Sequence, residues 1–319
     1  MAENNPIKQH TVPCSYLSGF SFDPSWRDSV IETYNFKTNE SKSLKVNTVT
    51  IEKNFYTLYD DHGNPDFSIE YFFSKYIESW IKEIVRKIEW HIYLTDDERL
   101  YLAEFMTFQE MRSTFRRSWD WVQKAEMIKM IGRSVLENLE DQWERLRSFR
   151  RSVWKELWIS LSDVECADLL EKVDQWWEIN VIDKEWSLRA MIELAPKMAR
   201  YLLQRRWQFI EAPRWWRFIT SDYPLYLHRD RDMPKFYWVW YATAEYIGFP
   251  ISKNIYLMAH QPDPEYLIPI YWTLINPHQI RELNLVTAQW VDKWLMGANG
   301  VLVNTIAQRI IQARKTGSR

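Results

Sequence analysis

Residues 30–36, with the sequence VIETYNF, decide how this chain begins to fold. β-Branched and aromatic residues dominate there, which is typical of a β-strand. A polar turn over residues 38–43 follows, and apolar and polar residues then alternate again from residue 44 to residue 48. The sequence therefore predicts a β-hairpin between residues 29 and 57.

The middle of the chain, residues 66–206, has a helical pattern instead. Apolar residues recur there at helical spacing, and Thr95 followed by three acidic residues has the signature of a helix N-terminus. Ser162, with Glu165 behind it, has the same signature. We therefore predict an all-helical middle of about five helices, one of which contains residues 105–119.

The β-pattern returns towards the C-terminus. Short runs of aromatic and β-branched residues, divided by Pro and Gly, occupy residues 215–220, 236–242 and 254–259. A helix is predicted over residues 278–296, followed by a last strand and a last helix. Because lone β-segments of this length are not stable, the segments at the two ends of the chain are expected to pair.

Together these patterns predict an α+β fold, in which N- and C-terminal segments form a mixed or antiparallel β-sheet with a large all-helical middle. We predict a single domain over residues 1–319. Its three parts are N-terminal strands over 1–65, a helical block over 66–206, and C-terminal strands and helices over 207–319.

Two residue counts bear on the class of function. The chain has only 7 Gly, and the closest pair is Gly297 and Gly300, where average usage gives roughly 22. Phosphate-binding loops need several closely spaced glycines, so the sequence argues against a P-loop NTPase and a dinucleotide-binding enzyme. Many of the 19 Trp residues follow helical spacing or occur in pairs, and core packing explains most of them.

The charge balance and the cysteine content bear on the partner and on the cellular compartment of the protein. With 41 Lys and Arg against 43 Asp and Glu, nucleic acid could bind only at a local basic patch. Cys14 and Cys166 form no CxxC pair, which argues against a disulfide framework or a zinc site and fits a reducing cytosol. No signal peptide is predicted, and the longest uncharged run, residues 266–280, is too short to cross a bilayer. We therefore predict a cytoplasmic protein that does not bind a membrane.

The first candidate for chemistry is residues 9–13, QHTVP. With an ordinary pKa of about 6.5, His10 can donate or accept a proton near neutral pH, and the Val-Pro step after it favours an extended, fixed backbone. The alternative is that His10 only ties an N-terminal segment into a sheet through an ordinary hydrogen bond.

The second candidate is on the predicted helix over residues 105–119. At helical spacing its Phe and Trp residues form one face, and Arg112 falls in the middle of that face with Gln109 and Arg116 at its edge. A guanidinium on a buried face must be matched by a carboxylate, by carbonyl groups or by a bound anion. Arg112 therefore predicts either a buried ion pair or an anion site.

The third candidate is residues 217–224, RFITSDYP. In a strand with a two-residue period, Asp222 lies at the end of the apolar face, where it is partly removed from water. Such a carboxylate can act as a general base, bind a metal or orient a His. The alternative is a turn in which Asp222 binds only backbone amides.

A further candidate combines basic and aromatic residues. Arg145, Arg147, Arg150 and Arg151 are interspersed with Phe149 between two Trp residues, as on a surface that binds nucleic acid. Acidic residues lie among them, so a helix with salt bridges on its surface is the simpler explanation.

The order of these motifs along the chain resembles the family known as domain of unknown function 4238. Members of that family have a Gln-His-x-Val-Pro-x-x-Tyr-Leu motif, a helix with Gln-x-x-Arg and a further Arg, a Thr-Ser-Asp-x-Pro motif, a Pro-Ile/Leu-Ser step and an Asn near the C-terminus. The corresponding residues here are Gln9 to Leu17, Gln109, Arg112, Arg116, Thr220 to Pro224, Pro250 to Ser252 and Asn284. The resemblance implies a mainly prokaryotic cytoplasmic protein, with some relatives associated with anti-phage defence, and it assigns no catalytic residues.

We therefore expect one composite site, in a hydrolase or nuclease of phage defence that acts on a phosphate-containing substrate. His10 is its expected general acid or base, and Asp222 its orienting carboxylate or a metal ligand. The expected substrate-binding residues are Gln9, Gln109, Arg112, Arg116, Ser221 and Asn284, with the two Arg residues stabilising anionic charge. The expected partner is a nucleic acid or a nucleotide.

The alternative function is a non-catalytic sensor or partner-binding module in prokaryotic defence. In that case the polar residues only tie the N-terminal strand to the core, and exposed Trp and Tyr residues form a surface for a partner. The sequence identifies no cofactor, no set of metal ligands and no oligomeric state.

Overall fold

The computed structural model describes residues 7–23, 29–60, 62–113, 128–157, 160–174, 184–229, 239–262 and 270–316. Contacts within the chain divide it into two compact units. The larger unit contains residues 1–115 and 191–319, and the smaller unit contains residues 116–190. The single domain that the sequence predicts over the whole chain stays a prediction.

Strands lie towards both ends of the chain and helices mostly in its middle. The strands are β1 (Lys8–His10), β2 (Val30–Asn35), β3 (Glu40–Lys45), β4 (Ile51–Lys53), β5 (Leu58–Tyr59), β6 (Pro65–Asp66), β7 (Arg206–Glu211), β8 (Thr220–Ser221), β9 (Tyr226–Leu227), β10 (Tyr246–Pro250), β11 (Ile255–His260), β12 (Ile270–Leu274) and β13 (Trp294–Gly297). The helices are α1 (Cys14–Leu17), α2 (Ser68–Phe72), α3 (Ile81–Glu89), α4 (Asp96–Met111), α5 (Gln142–Leu157), α6 (Asp163–Asp174), α7 (Lys184–Leu203), α8 (Pro277–Ala288) and α9 (Gly300–Thr316). Residues 128–138 are helical as well, and Phe73–Ile77 form a π-helical turn.

One sheet joins the two ends of the chain. Its strand order is β3-β2-β13-β8, and each neighbouring pair is antiparallel. β2 and β3 form the predicted hairpin, with Asn35 opposite Glu40. The predicted bounds of its turn and second strand are wrong, because β3 already begins at Glu40 and Val46–Thr48 form a helical turn instead of strand. Asn39 in its turn has a φ of 55°, a left-handed conformation that Asn tolerates. The pairing of β13 with β2 confirms that N- and C-terminal segments share a sheet.

A second sheet is built within the C-terminal part of the chain. Its order is β12-β7-β11-β10-β9, and it is mixed because β12 runs parallel to β7 while the other pairs are antiparallel. Alternating residues of one face, such as Trp207, Phe209 and Leu257, are completely buried. Two small sheets, β1-β4 and β5-β6, lie in the N-terminal part. The predicted α+β class is confirmed.

Both predicted helix starts are confirmed. Thr95 Oγ1 accepts a hydrogen bond from the Glu98 backbone N at 3.3 Å, and the Glu98 carboxylate accepts one from the Thr95 backbone N at 2.9 Å. This capping box begins α4. Ser162 and Glu165 exchange the same two bonds before α6. Because these bonds join residues three positions apart, the sequence pattern is enough to predict them.

The predicted extent of the helix over residues 105–119 is wrong. α4 ends at Met111, and Arg112 follows as its C-cap residue with φ −87° and ψ −1°. The aromatic residues of the described part of this face are buried, as expected. Residues 114–127, which include the candidate Arg116, lie outside the described residues. The aromatic pattern thus located the buried face but not the end of the helix.

Two predictions near the C-terminus are wrong in their extent. The helix predicted over residues 278–296 ends as α8 at Ala288, and Trp294–Gly297 form β13 instead. Of the run predicted as a strand over residues 215–220, only Thr220 is in a strand. β13 pairs with β2 on one side and β8 on the other, so long-range pairing overrides the local preference for helix.

The remaining predicted runs have different outcomes. The run over residues 254–259 is confirmed as β11. Of the run over residues 236–242, residues 236–238 lie outside the described part of the chain and residues 239–242 are not in a strand.

The smaller unit has a hydrophobic core of its own. Phe149 and Val153 of α5 pack there with Cys166 and Leu170 of α6 and with apolar residues of the 128–138 helix. The opposite face of α5 is exposed and carries several Arg side chains. α5 is therefore amphipathic, as expected for a helix at a surface.

Candidate functional site

His10 is half-buried and lies against a thiol. Its Nε2 is 3.2 Å from the Sγ of Cys14, the first residue of α1. Burial lowers the pKa of His10 below its ordinary value of 6.5, against the opposing effect of a hydrogen bond with the Asn47 backbone. His10 is therefore neutral at pH 7.

The tautomer of His10 is assigned from the groups that its two ring nitrogens face. A backbone hydrogen bond that raises the pKa of a His is one in which a ring N–H donates to a carbonyl oxygen. We assign this bond to Nδ1–H and the Asn47 carbonyl, because Nε2 faces Cys14. Nε2 is then the unprotonated nitrogen, which is the arrangement that a general base needs.

Arg112 is buried, with 1% of its surface exposed. Its Nη1 is 2.8 Å from Glu78 Oε1, and its Nε donates to Gln109 Oε1 at 3.1 Å. The guanidinium lies 5.1 Å from the centroid of the Phe73 ring. Nη2 has no hydrogen-bond partner among the described residues. Of the two alternatives for Arg112, the buried ion pair is present. The Nη2 group remains as a hydrogen-bond donor without a partner among the described residues.

Gln9 and Gln109 are completely buried and hold the backbone around His10. Gln9 Nε2 donates to Thr57 Oγ1 at 3.0 Å, and its Oε1 accepts a bond from the Tyr56 backbone N at 2.5 Å. Gln109 Nε2 donates to the Thr11 carbonyl at 3.0 Å, while its Oε1 accepts the bond from the guanidinium. Both amides are engaged at both ends by the protein, so they position the segment that contains His10.

Two carboxylates lie close to Arg112. Glu78 follows the π-helical turn directly, and such turns are frequent at functional sites. Burial and the charge of Glu78 raise the pKa of Glu70 to about 7, against the effect of Arg112. Glu78 also raises the pKa of His10 and Arg112 lowers it, so all four groups interact. We call these four residues and Cys14 the N-terminal cluster, whose net charge is slightly negative at pH 7, because Glu70 is partly ionised beside the Arg112–Glu78 pair.

Asp222 is buried, with 5% of its surface exposed. Its Oδ1 accepts a hydrogen bond from the Asp292 backbone N at 3.1 Å, and its Oδ2 accepts bonds from those of Lys293 at 2.6 Å and Trp294 at 3.0 Å. Burial raises its pKa to about 6. No hydrogen bond or ion pair joins Asp222 to His10 within the described part of the chain. These contacts match the turn alternative, and a role for Asp222 beside His10 stays a prediction.

Asn284 and Ser221 fasten the segment around β8 to α8. Asn284 Oδ1 accepts a hydrogen bond from the Ile219 backbone N, and its Nδ2 donates to the Arg217 carbonyl, both at 3.0 Å. Ser221 Oγ donates to the Thr287 carbonyl at 3.3 Å. The described contacts of both side chains are thus with backbone groups.

The structure brings the predicted site residues together in two groups. The first, at the N-terminal cluster, contains Gln9, His10, Gln109 and Arg112. The second, around β8 and β13, contains Ser221, Asp222 and Asn284.

A basic concavity lies on the smaller unit. It has a volume of about 320 Å³, and its lining residues are Arg147, Arg150, Arg151, Trp154 and Ser160. Arg150 pairs with Asp163 at 2.7 Å, which bears out part of the salt-bridged alternative. Arg147 and Arg151 are exposed and form no ion pair with any described residue. We call the side chains of Arg147, Arg150, Arg151 and Trp154 the basic face.

Comparison with known proteins decides the family. A family model described as "Protein of unknown function (DUF4238)" matches residues 8–300. The chain belongs to the DUF4238 family. No curated protein and no solved structure matches it significantly.

Sequence reasoning missed three members of the N-terminal cluster of this DUF4238 protein. Cys14 is in the same motif as His10, four positions later. Residues at this spacing can come into contact through one local turn of the backbone, so the sequence alone could have predicted this pair. Glu78 is 34 positions from its partner Arg112, and Glu70 is farther away still. No local pattern connects these carboxylates to Arg112, so only the folded chain reveals them.

Three further observations describe the DUF4238 chain. The described residues contain no group of three or more His, Cys, Asp or Glu that could hold a metal ion. Within the same residues, no helix has the length and apolar character needed to cross a membrane. Neither Cys14 nor Cys166 forms a disulfide bond.

Proposed function

We propose that this protein is a hydrolase that acts on a phosphate-containing substrate, a nucleic acid or a nucleotide, in cytoplasmic phage defence. One observation carries the proposal: His10 is half-buried with a neutral imidazole, and it lies within the electrostatic reach of Arg112. A general acid or base beside an anion-stabilising charge is what hydrolysis of a phosphate ester requires. The defence setting is supported only by the family resemblance, which implies that some relatives are associated with anti-phage defence.

Arg112 acts in this proposal through its electrostatic field. It is almost completely buried, where charge–charge interactions are stronger than in water. Glu78 and Glu70 limit that field, so a substrate with two negative charges is repelled more than one with a single charge. This balance favours a phosphodiester over a phosphomonoester.

The basic face independently favours a nucleic acid as the partner. Arg147 and Arg151 are exposed, and 45% of the surface of Trp154 is exposed beside them. Basic side chains contact phosphates, and an exposed aromatic ring stacks on an unpaired base. Single-stranded DNA or RNA fits this combination best.

The test is a hydrolysis assay of the purified protein. Its substrates are end-labelled single-stranded and double-stranded DNA and RNA and a set of nucleotides, each with and without Mg²⁺. We expect the wild type to cleave a phosphodiester and His10→Ala to be slower by about 100-fold or more. His62→Ala is the matched control, because His62 is an exposed loop residue. The proposal is wrong if the wild type cleaves no substrate, or if folded His10→Ala is as fast as the wild type.

The defence setting has its own test, which is phage plating on cells that produce the wild type, His10→Ala or His62→Ala. At equal protein levels, we expect His10→Ala to lose protection and His62→Ala to keep it. If cells that produce His10→Ala are protected as well as cells that produce the wild type, His10 has no catalytic role in defence.

The second candidate function is a non-catalytic sensor or partner-binding module. One observation favours it: the described contacts of Gln9, Asp222 and Asn284 are with the protein itself and tie segments together. If it is correct, His10→Ala lowers the free energy of unfolding, and protection falls only in proportion to the folded protein. Protection per folded molecule therefore distinguishes the two functions.

A further inference from the structure

We propose that Cys14 is the nucleophile of this hydrolase and that His10 is the base that activates it. This role rests on the proposed function, since it needs a phosphorus centre to attack. It is carried by the contact between Cys14 Sγ and His10 Nε2 and by the tautomer of the imidazole. A nucleophile within hydrogen-bond reach of a base, which is itself oriented by a third group, is the usual arrangement in covalent catalysis.

The thiol is held in a defined position. Cys14 begins α1 directly after Pro13, which is extended with ψ 141°, and Cys14 is partly exposed. Its Sγ is 3.2 Å from His10 Nε2 and 3.5 Å from the Val46 carbonyl oxygen. The shorter contact is with the nitrogen that carries no proton, so the thiol proton is placed for transfer to His10.

The charges of the N-terminal cluster act in opposite directions on the imidazolium that this transfer creates. Glu78 favours the protonated imidazole, because it raises the pKa of His10. Arg112 opposes it, because it lowers the pKa of His10. The Asn47 backbone, the ring of His10 and the thiol of Cys14 form a relay, and charges of both signs act on the ring.

The second thiol of the chain is unsuited to this role. Cys166 is completely buried in the core of the smaller unit. Burial raises its pKa to about 11, so it stays a thiol at neutral pH and is shielded from substrate. Cys166 is therefore a matched internal control.

The proposed reaction has two steps. In the first, His10 Nε2 takes the Cys14 proton and Sγ attacks phosphorus, so that an S–P bond forms. The P–O bond to the leaving group breaks, and the His10 imidazolium gives its proton to the leaving oxygen. In the second, His10 removes a proton from water, the hydroxide attacks phosphorus and the S–P bond breaks. The thiolate then takes the proton back from His10, and the net reaction is hydrolysis.

The first experiment measures thiol reactivity and needs no substrate. The wild type and His10→Gln are treated with iodoacetamide between pH 5 and pH 9, and peptide mass spectrometry follows Cys14 and Cys166 separately. We expect Cys14 of the wild type to react at least about 10-fold faster at pH 7 than free cysteine, and His10→Gln to abolish the difference. A Cys14 that reacts no faster than free cysteine would overturn the proposal.

The second experiment follows the intermediate and the rate. The substrate is the labelled phosphodiester that the wild type cleaves best, and a rapid denaturing quench traps label bound to protein. We expect label on the Cys14 peptide of the wild type and none on Cys14→Ala. We also expect kcat to fall about 100-fold or more in both Cys14→Ala and Cys14→Ser, with Cys166→Ala within about twofold of the wild type.

The outcomes separate this role from the proposed function. Full activity in folded Cys14→Ala, together with a loss in His10→Ala, overturns the nucleophile and leaves the hydrolase. No cleavage by the wild type overturns the hydrolase, whereas fast alkylation of Cys14 that depends on His10 still supports an activated thiol. Cys14→Ser keeps the side-chain shape, so its thermal unfolding identifies any loss that comes from misfolding alone.

Discussion

At the scale of single residues, the ion pair between Arg112 and Glu78 is the main energetic feature of the N-terminal cluster. Only 1% of the Arg112 side chain and 23% of the Glu78 side chain are exposed. Removing one partner of a buried pair leaves the other charge without compensation, which costs more than the pair contributes when both are present. The two residues must therefore be changed singly and together.

We expect Arg112→Met to lower the free energy of unfolding by about 3 kcal/mol. The double variant Arg112→Met with Glu78→Gln should recover part of that loss, because it contains no unpaired charge. Urea denaturation of the four proteins measures the coupling. Additive losses would show that the two side chains do not interact. If Arg112→Met loses stability but binds the phosphodiester as the wild type does, Arg112 has no part in substrate binding.

Asp222 makes stability depend on pH. Its pKa is raised by burial from an ordinary 3.8 to about 6, so the folded state favours the protonated carboxyl more than the unfolded state does. Its contribution to stability is therefore complete below about pH 4 and is lost as the pH rises through about 6. We expect the wild type to lose about 3 kcal/mol relative to Asp222→Asn over this window.

Urea denaturation of the wild type and Asp222→Asn at several pH values between 3.5 and 7 measures this difference. Asn does not titrate, so effects of other groups cancel in the comparison. A difference that stays constant over the window would mean that Asp222 has an ordinary pKa in the folded protein.

At the scale of the element, helix starts were predictable and helix ends were not. The capping box of α4 lies within four consecutive residues, beginning at Thr95, so the local sequence predicts it. At its other end the chain continues with Arg112 and Ser113, and no Gly or Pro marks the stop. The side chain of Arg112 is instead paired with Glu78, which comes from the segment after the π-helical turn.

The basic face of α5 has a prediction of its own. We expect Arg147→Ala with Arg151→Ala to weaken binding of a labelled single-stranded oligonucleotide and to lower the slope of log affinity against log salt by about 1 to 2. Fluorescence anisotropy at several salt concentrations measures both. Arg133→Ala with Lys172→Ala removes the same charge elsewhere on the smaller unit, so an equal effect there would mean that net charge, and not this face, binds the oligonucleotide.

At the scale of the whole molecule, β13 connects the two ends of the chain. It lies between β2 from the N-terminal part and β8 from the C-terminal part. The backbone amides just before and at its start also bind the Asp222 carboxylate. Removing β13 would therefore expose the edges of two strands and leave a buried carboxylate without partners.

We expect a chain that stops at residue 290, without β13 and α9, to be insoluble or unfolded. Removal of residues 317–319 alone is the control and should leave folding unchanged. Soluble yield and far-ultraviolet circular dichroism measure the outcome. A soluble chain with the circular dichroism expected for the remaining elements would show that the N-terminal hairpin does not depend on β13.

The sequence by itself determined the α+β class, the first hairpin, two helix starts and the polar residues worth attention, because each depends on residues that are neighbours along the chain. Only the tertiary structure decided which groups meet. Asp222 binds an amide 70 positions away, and Arg112 pairs with a carboxylate 34 positions away. Hydrogen bonds and charge interactions depend on distance in space, and packing of the whole chain sets those distances.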